Sequence, residues 1–293
     1  MIEATRAACR ERRTARAGTT LSTVPIVPIA SLDDPRLADF SRRTDVALRH
    51  DQQSEHGIFL TESALVTSRA LDSGYVPRAV LALDGSRAEA ERLLADYPDV
   101  PVFTGSDELL SGHTGYQLHR GLIGSFDRPA RQDPAELLAG PGRRTVVILE
   151  NIADPTNVGA IFRSVAGIGA DAVLVTERCS DPFYRRAIRV SMGSTLLVPW
   201  TRTASWAETR AALDAAGFHL ATFDLTDGAV PLRQFAANRP EKLAIVLGEE
   251  GPGITAEATA AADTVVTIPM RHGVDSLNVA AASAVAIWAL AGG

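Results

Sequence analysis

The chain has 293 residues, 46% hydrophobic and 22% charged, with a formal net charge of −6, which suits two globular domains of about 100–200 residues each. Charge is spread evenly, 17 Lys+Arg against 20 Asp+Glu up to Arg143 and 12 against 15 beyond it. Neither half is a polycation, so nucleic acid would have to meet a local patch. Cys9 and Cys179 are the only cysteines, which argues against a disulfide scaffold or a zinc site and fits a reducing compartment. No window reaches the about 20 apolar residues of a membrane span. Lys242 is the only lysine beside 28 arginines, a bias that reads as codon usage rather than RNA binding.

Residues 1–28 begin with an Arg-, Ala- and Thr-rich stretch without the apolar core of a secretory signal. They read as a disordered basic leader or an overlong start. Structure is expected from Ile29, over a first domain of residues 29–126. Asp33, Asp34 and Pro35 precede a helical pattern carrying Leu37, Phe40, Val46 and Leu48. A short strand at 58–60 enters a helix near Ser63 that Gly74 closes. Strand 79–83, the helix SRAEAERLLADY, strand VPVFTG and a short helix from Asp107 follow. Strands alternating with helices mean a small α/β domain. It lacks a phosphate loop, metal spacing or a nucleophile motif. Its arginines could meet RNA, or simply clothe solvated helix faces. Residues 127–144, rich in Pro and Gly, read as an exposed linker with one helical turn at 135–138.

The second domain spans 145–293. TVVILE (145–150) is a strand buried on both faces, as in parallel sheets. A helix from about Val158 to a Gly167/Gly169 stop follows, then strand AVLV (172–175). Asp181 and Pro182 start a helix carrying Arg185, Arg186 and Arg189, and LLVPW (196–200) reads as a strand. SWAETRAALDAAG is a helix between an N-cap Ser205 and a closing Gly217. Strands HLATFDL, LAIVLG and TVVTIPM bring the total to about six. The Ala-rich run after Ser276 is a helix, with Ser276 at the N-cap position. The expected architecture is a parallel sheet with helices on both faces.

Open parallel sheets bind ligands at the carboxyl ends of their strands. Four such ends are decorated here: Asn151, Asp154, Asn157 and Arg163 after the first strand; Thr226, Asp227 and Gly228 after HLATFDL; GEEGPG (248–253) after LAIVLG; and RHGVDSLN (271–278) after TVVTIPM. The glycines let the backbone of GEEGPG approach a ligand closely. It is neither a dinucleotide fingerprint nor a P-loop, and alone it is equally readable as a tight turn.

Taken together, ENIADPTNVGAIFRSVAGIGA, IVLGEEGPGI and TIPMRHGVDSLNVAAASAVAIW resemble the SpoU/TrmH family of RNA methyltransferases in motif order, over residues 145–290. The region before them resembles, more loosely, the family's N-terminal RNA-binding α/β domain. The resemblance implies transfer of a methyl group from S-adenosylmethionine to a ribose 2′-hydroxyl of tRNA or rRNA, by a cytoplasmic homodimer whose parallel sheet carries a trefoil knot. It implies neither a metal nor a membrane. By motif, Asn157, Arg163, Glu250, Ser276 and Asn278 are the expected catalytic residues, and Leu247, Gly248, Ile268, Met270 and Leu277 the expected cofactor contacts. Glu249 stands where relatives often have a small polar residue, and Ala280 where many have Ser.

A guanidinium has a pKa above about 12 and seldom acts as a base at neutral pH. Arg163 is therefore expected to stabilise a developing alkoxide and a nearby phosphate, while another group takes the proton. Arg185, Arg186 and Arg189 are expected to clamp RNA phosphates, or else to form structural ion pairs. Two other functions compete: a non-catalytic RNA- or ribosome-binding protein that kept the fold, and an α/β enzyme acting on a nucleotide-like small molecule. The second would need a phosphate loop, which is missing.

Overall fold

The computed structural model describes residues 24–31, 33–40, 57–114, 121–226, 228–249, 251, 253–272 and 274–291. Two units emerge. One is the described part of Met1–Ala130 with Phe183–Leu197; the other is Arg131–Pro182 with the described part of Val198–Gly293.

The first unit holds strands β1 (Ile26–Pro28), β2 (Ile58–Glu62), β3 (Pro77–Leu83), β4 (Val102–Gly105) and β5 (Leu122–Asp127), in the order β1-β4-β3-β5-β2. β1, β4 and β3 run parallel, while β5 is antiparallel to both β3 and β2. Helices α1 (Ala64–Asp72), α2 (Arg87–Leu93) and α3 (Asp107–Thr114) complete it. The helix expected near Ser63 is α1, and Ser63 caps it by accepting from Val66 N–H. Alternate side chains of the strands bury Ile58, Leu60, Leu81, Phe103 and Ile123 in one core. Ile26–Pro28 is a strand inside what reads as leader, and Leu122–Asp127 adds a strand, β5, that the sequence pattern does not mark. Of the helix expected over Leu37, Phe40, Val46 and Leu48, the described part holds a 3-10 turn at Pro35–Leu37, and Val46 and Leu48 lie outside the described residues.

The second unit is a seven-stranded, wholly parallel sheet. Its strands are β6 (Arg144–Leu149), β7 (Ala172–Thr176), β8 (Trp200–Thr203), β9 (His219–Phe223), β10 (Val230–Pro231), β11 (Lys242–Leu247) and β12 (Thr264–Thr267), in the order β10-β12-β9-β11-β6-β7-β8. The central strands β6 and β11 are Val-, Ile- and Leu-rich and buried on both faces, the signature of a parallel sheet under helices. Those helices include α4 (Pro134–Leu138), α5 (Pro155–Ile168), α7 (Trp206–Ala216), α8 (Leu232–Ala237), α9 (Ala256–Ala261) and α10 (Val279–Ala291); α6 (Arg185–Val190) belongs to the first unit.

The linker reading of 127–144 holds only in part. Asp133 caps α4, and Leu137 and Leu138 are buried in the sheet's own core beside Val146 and Leu174. Two adjacent leucines on a five-residue helix are enough to pin it, whatever the Pro and Gly around it suggest. LLVPW is not a strand: a 3-10 turn covers Ser194–Leu196 and β8 starts at Trp200. Pro199 has no N–H for the ladder, and its carbonyl accepts from Val173 N–H at 3.0 Å. The segment Phe183–Leu197 belongs with the first unit: Phe183 stacks on Phe59 and Arg185 pairs with Glu62.

Candidate active site

β6 runs into Glu150, a carboxylate only 1% exposed. A charge out of water needs donors, and three reach it. The Trp206 indole N–H donates to Oε1 at 2.7 Å, the Thr255 hydroxyl to Oε1 at 2.5 Å and the Thr255 backbone N–H to Oε2 at 3.0 Å. Thr255 also caps α9, accepting from Ala258 N–H. Motif reasoning missed Glu150, although an acidic residue closing an otherwise apolar strand is the signal that could have found it.

The glycine loop leaves β11 at Leu247, which is buried. It folds back at once: Glu249 and Gly253 form an antiparallel bridge, with Gly253 N–H donating to the Glu249 carbonyl at 3.0 Å. A Cβ on Gly248 would lie 2.5 Å from the Gly253 carbonyl oxygen, so no other residue fits without moving the turn. Gly253 itself adopts φ +74. Glu250 lies outside the described residues.

On the other side of β6, Asn151 turns the chain at φ +57, and its N–H donates to Thr176 Oγ1 at 3.0 Å. Asn tolerates this conformation because its short side chain bonds locally; here Oδ1 accepts from Thr176 Oγ1. The Cys179 thiol donates to the Leu149 carbonyl at 2.9 Å and accepts from Ile152 N–H at 3.2 Å. Burial pushes that thiol above its ordinary 9.0. Asp154 then caps α5 through Thr156 N–H at 2.7 Å, with Pro155 in the first helical position.

α5 carries Asn157 in its first turn and, six residues or about 9 Å further along, an exposed Arg163. Asn278 meets Asn157: its side-chain N–H donates to Asn157 Oδ1 at 3.2 Å. Asn278 is also the residue that caps α10, accepting from Ala280 N–H at 3.0 Å. Ser276, expected at the cap, is exposed two residues before it. Ile268 and Met270 are half-buried just past β12, and Leu277 is 38% exposed. Since only β9 separates β11 from β12, Leu247 and Ile268 end strands about 10 Å apart.

Arg185 and Arg189 sit in the first unit, both beside Glu62, at 2.8 Å and 3.8 Å, while Arg186 is exposed. A cavity of about 340 Å³, lined by residues such as Gly217, His219 and Lys242, lies at the amino ends of β9 and β11 and touches none of the motif residues. Among the described residues no group of three or more His, Cys, Asp or Glu side chains could hold a metal ion.

Comparison with known proteins bears on this geometry. The model of the SpoU rRNA Methylase family matches residues 144–288. An uncharacterized tRNA/rRNA methyltransferase of Mycobacterium tuberculosis is 39% identical over 87% of this chain and 88% of its own length. The chain belongs to the SpoU family. The chain is also 32% identical to the 23S rRNA (guanosine-2′-O-)-methyltransferase RlmB of Vibrio cholerae, over 58% of this chain and 69% of that protein. The fold matches an rRNA methyltransferase of Sinorhizobium meliloti solved with AdoMet bound, at a TM-score of 0.78 and 22% identity, over 90% of this chain and 97% of that one. SpoU proteins use S-adenosylmethionine as methyl donor.

Proposed function

We propose that this SpoU protein transfers a methyl group from S-adenosylmethionine to a ribose 2′-hydroxyl of structured RNA, either rRNA or tRNA, as a cytoplasmic homodimer. The observation that carries the reading is the Asn157–Asn278 hydrogen bond, which joins polar residues of the first and third motifs at the carboxyl edge of the sheet. The name of the Vibrio cholerae relative supports the 2′-hydroxyl as acceptor. The C-terminal strands and loops are taken to form the family's trefoil knot. Support for the dimer comes from α10, where Ala281, Val285 and Trp288 fall on one stripe and are exposed, Trp288 by 72%.

Bound S-adenosylmethionine supplies an electrophilic methyl on a sulfonium. The residues present fit such a ligand: backbone groups at Leu247, Gly248, Ile268, Met270 and Leu277 would hold it, and the missing side chain of Gly248 lets the Gly253 backbone pack against it, so that main-chain groups line the turn. In this reading Asn157 and Asn278 orient the ribose, and aligning the reacting atoms contributes about 7–11 kcal/mol at best. Arg163 offers five N–H donors to the developing alkoxide and an adjacent phosphate. The hydroxyl proton leaves to that phosphate or to water. Glu250 and Ser276 are assigned supporting contacts, and Arg186 an RNA phosphate, with Arg185 and Arg189 sharing the charge of Glu62.

The test is incubation with labelled S-adenosylmethionine and RNA from a strain lacking the gene, followed by digestion to nucleosides. Label in a 2′-O-methylnucleoside is expected; label on a base, or none, refutes the reading.

A further inference from the structure

Thr255 and Leu247 flank the glycine loop, and Glu150 bonds to both. At the loop's entry, Glu150 N–H donates to the Leu247 carbonyl at 2.9 Å. At its exit, the Glu150 carboxylate takes the Thr255 N–H and hydroxyl. A single residue thus clamps both ends of a turn whose interior is so tight that Gly248 tolerates no Cβ. Oε1, which takes the Thr255 hydroxyl, is held as well by the Trp206 indole N–H, a donor outside the loop.

We infer that Glu150 is a positioning residue for the methyl donor: by holding Leu247 and Thr255, its backbone N–H and buried carboxylate set the backbone of Gly248 against S-adenosylmethionine. This rests on the reading that the turn contacts the donor. A buried carboxylate kept only for stability would do as well tied to any element, whereas this one spends two of its three bonds on the residue that ends the turn.

Chemistry makes the effect separable. In Glu150→Gln one oxygen becomes an N–H₂ donor. With the amide oxygen at the Oε1 position, the amide nitrogen faces Thr255 N–H, donor against donor; flipped, it faces the Trp206 N–H instead. Either way one neighbour of similar shape is repelled. Thr255→Val removes the hydroxyl, and with it the cap of α9, and keeps the backbone bond to Glu150.

Calorimetry with S-adenosylmethionine is run on the wild type and both variants, alongside filter binding to rRNA. Losing a hydrogen bond to a charged group predicts about tenfold weaker donor binding in Glu150→Gln and a smaller loss in Thr255→Val, with RNA affinity within about twofold. Donor affinity unchanged in both variants, while their melting temperatures fall, would overturn the inference and leave the methyltransferase reading intact. A wild type that does not bind the donor would overturn that reading itself.

Discussion

Asn278 donates its side-chain N–H to Oδ1 of Asn157 across 3.2 Å, joining residues 121 positions apart in the chain. The amide oxygen of the same side chain caps α10 by accepting from Ala280 N–H, so Asn278 both starts the last helix and fixes a polar group of the first motif.

This dual role separates two variants. Asn278→Ala is expected to lose the cap, about 1 kcal/mol, together with activity. Asn157→Ala should lose activity at nearly unchanged stability. In a double-mutant cycle of urea denaturation the pair should couple by about 0.5 kcal/mol; strict additivity would show that the bond contributes nothing.

The glycine turn offers a sharper contrast. Gly248→Ala places a methyl 2.5 Å from the Gly253 oxygen, so binding of S-adenosylmethionine should fall at least tenfold. Gly253→Ala meets open space and suffers only from φ +74, a strain of about 1–2 kcal/mol. Equal losses from the two substitutions in a donor titration would contradict the tight turn.

Cys179 governs an alkaline limb of stability. Its folded pKa is raised by burial, opposed by bonds from Thr176 and Ile152, so the folded state holds the proton more tightly than the unfolded chain. The resulting stabilisation is complete below the unfolded thiol pKa and disappears as pH rises through the folded one. Melting temperature should therefore drop above the ordinary thiol range more steeply in the wild type than in Cys179→Ser, whose hydroxyl keeps both polar contacts. Parallel pH profiles for the two proteins would refute this.

The arginines of α6 divide by partner. Arg185 is 13% exposed against Glu62 at 18%, so Arg185→Ala should destabilise the first unit by about 1–3 kcal/mol, as breaking a part-buried charged pair does. Arg186→Ala should leave melting unchanged and lower the salt slope of RNA binding by about one. A fall in melting temperature with Arg186→Ala, or none with Arg185→Ala, would reverse the assignment.

Local chemistry made much of this architecture readable. Ser205 and Gly217 bracket α7, with Gly217 at φ +76, and Asp154, Pro155 and Gly169 bracket α5, because caps act over three or four residues. Apolar runs marked β6, β9 and β11 for the same reason. What escaped depends on distant partners. β10 is two residues long at a sheet edge, β5 contains Gly124 and pairs with residues 40 or more positions away, and Phe183–Leu197 leaves one unit for the other. Ser276 and Asn278 are equally good caps in sequence; only the helix start at Val279 chooses between them. Glu150 reads as the tail of a strand because the partners that give it a role, Trp206 and Thr255, lie 56 and 105 positions further along the chain.

A crystal structure with S-adenosylmethionine bound tests the central claim most directly. The adenosine should lie against the backbone of Leu247, Gly248, Ile268 and Leu277, with the sulfonium methyl turned toward Asn157 and Arg163. Density for the donor elsewhere, such as the cavity beside His219 and Lys242, would contradict the account.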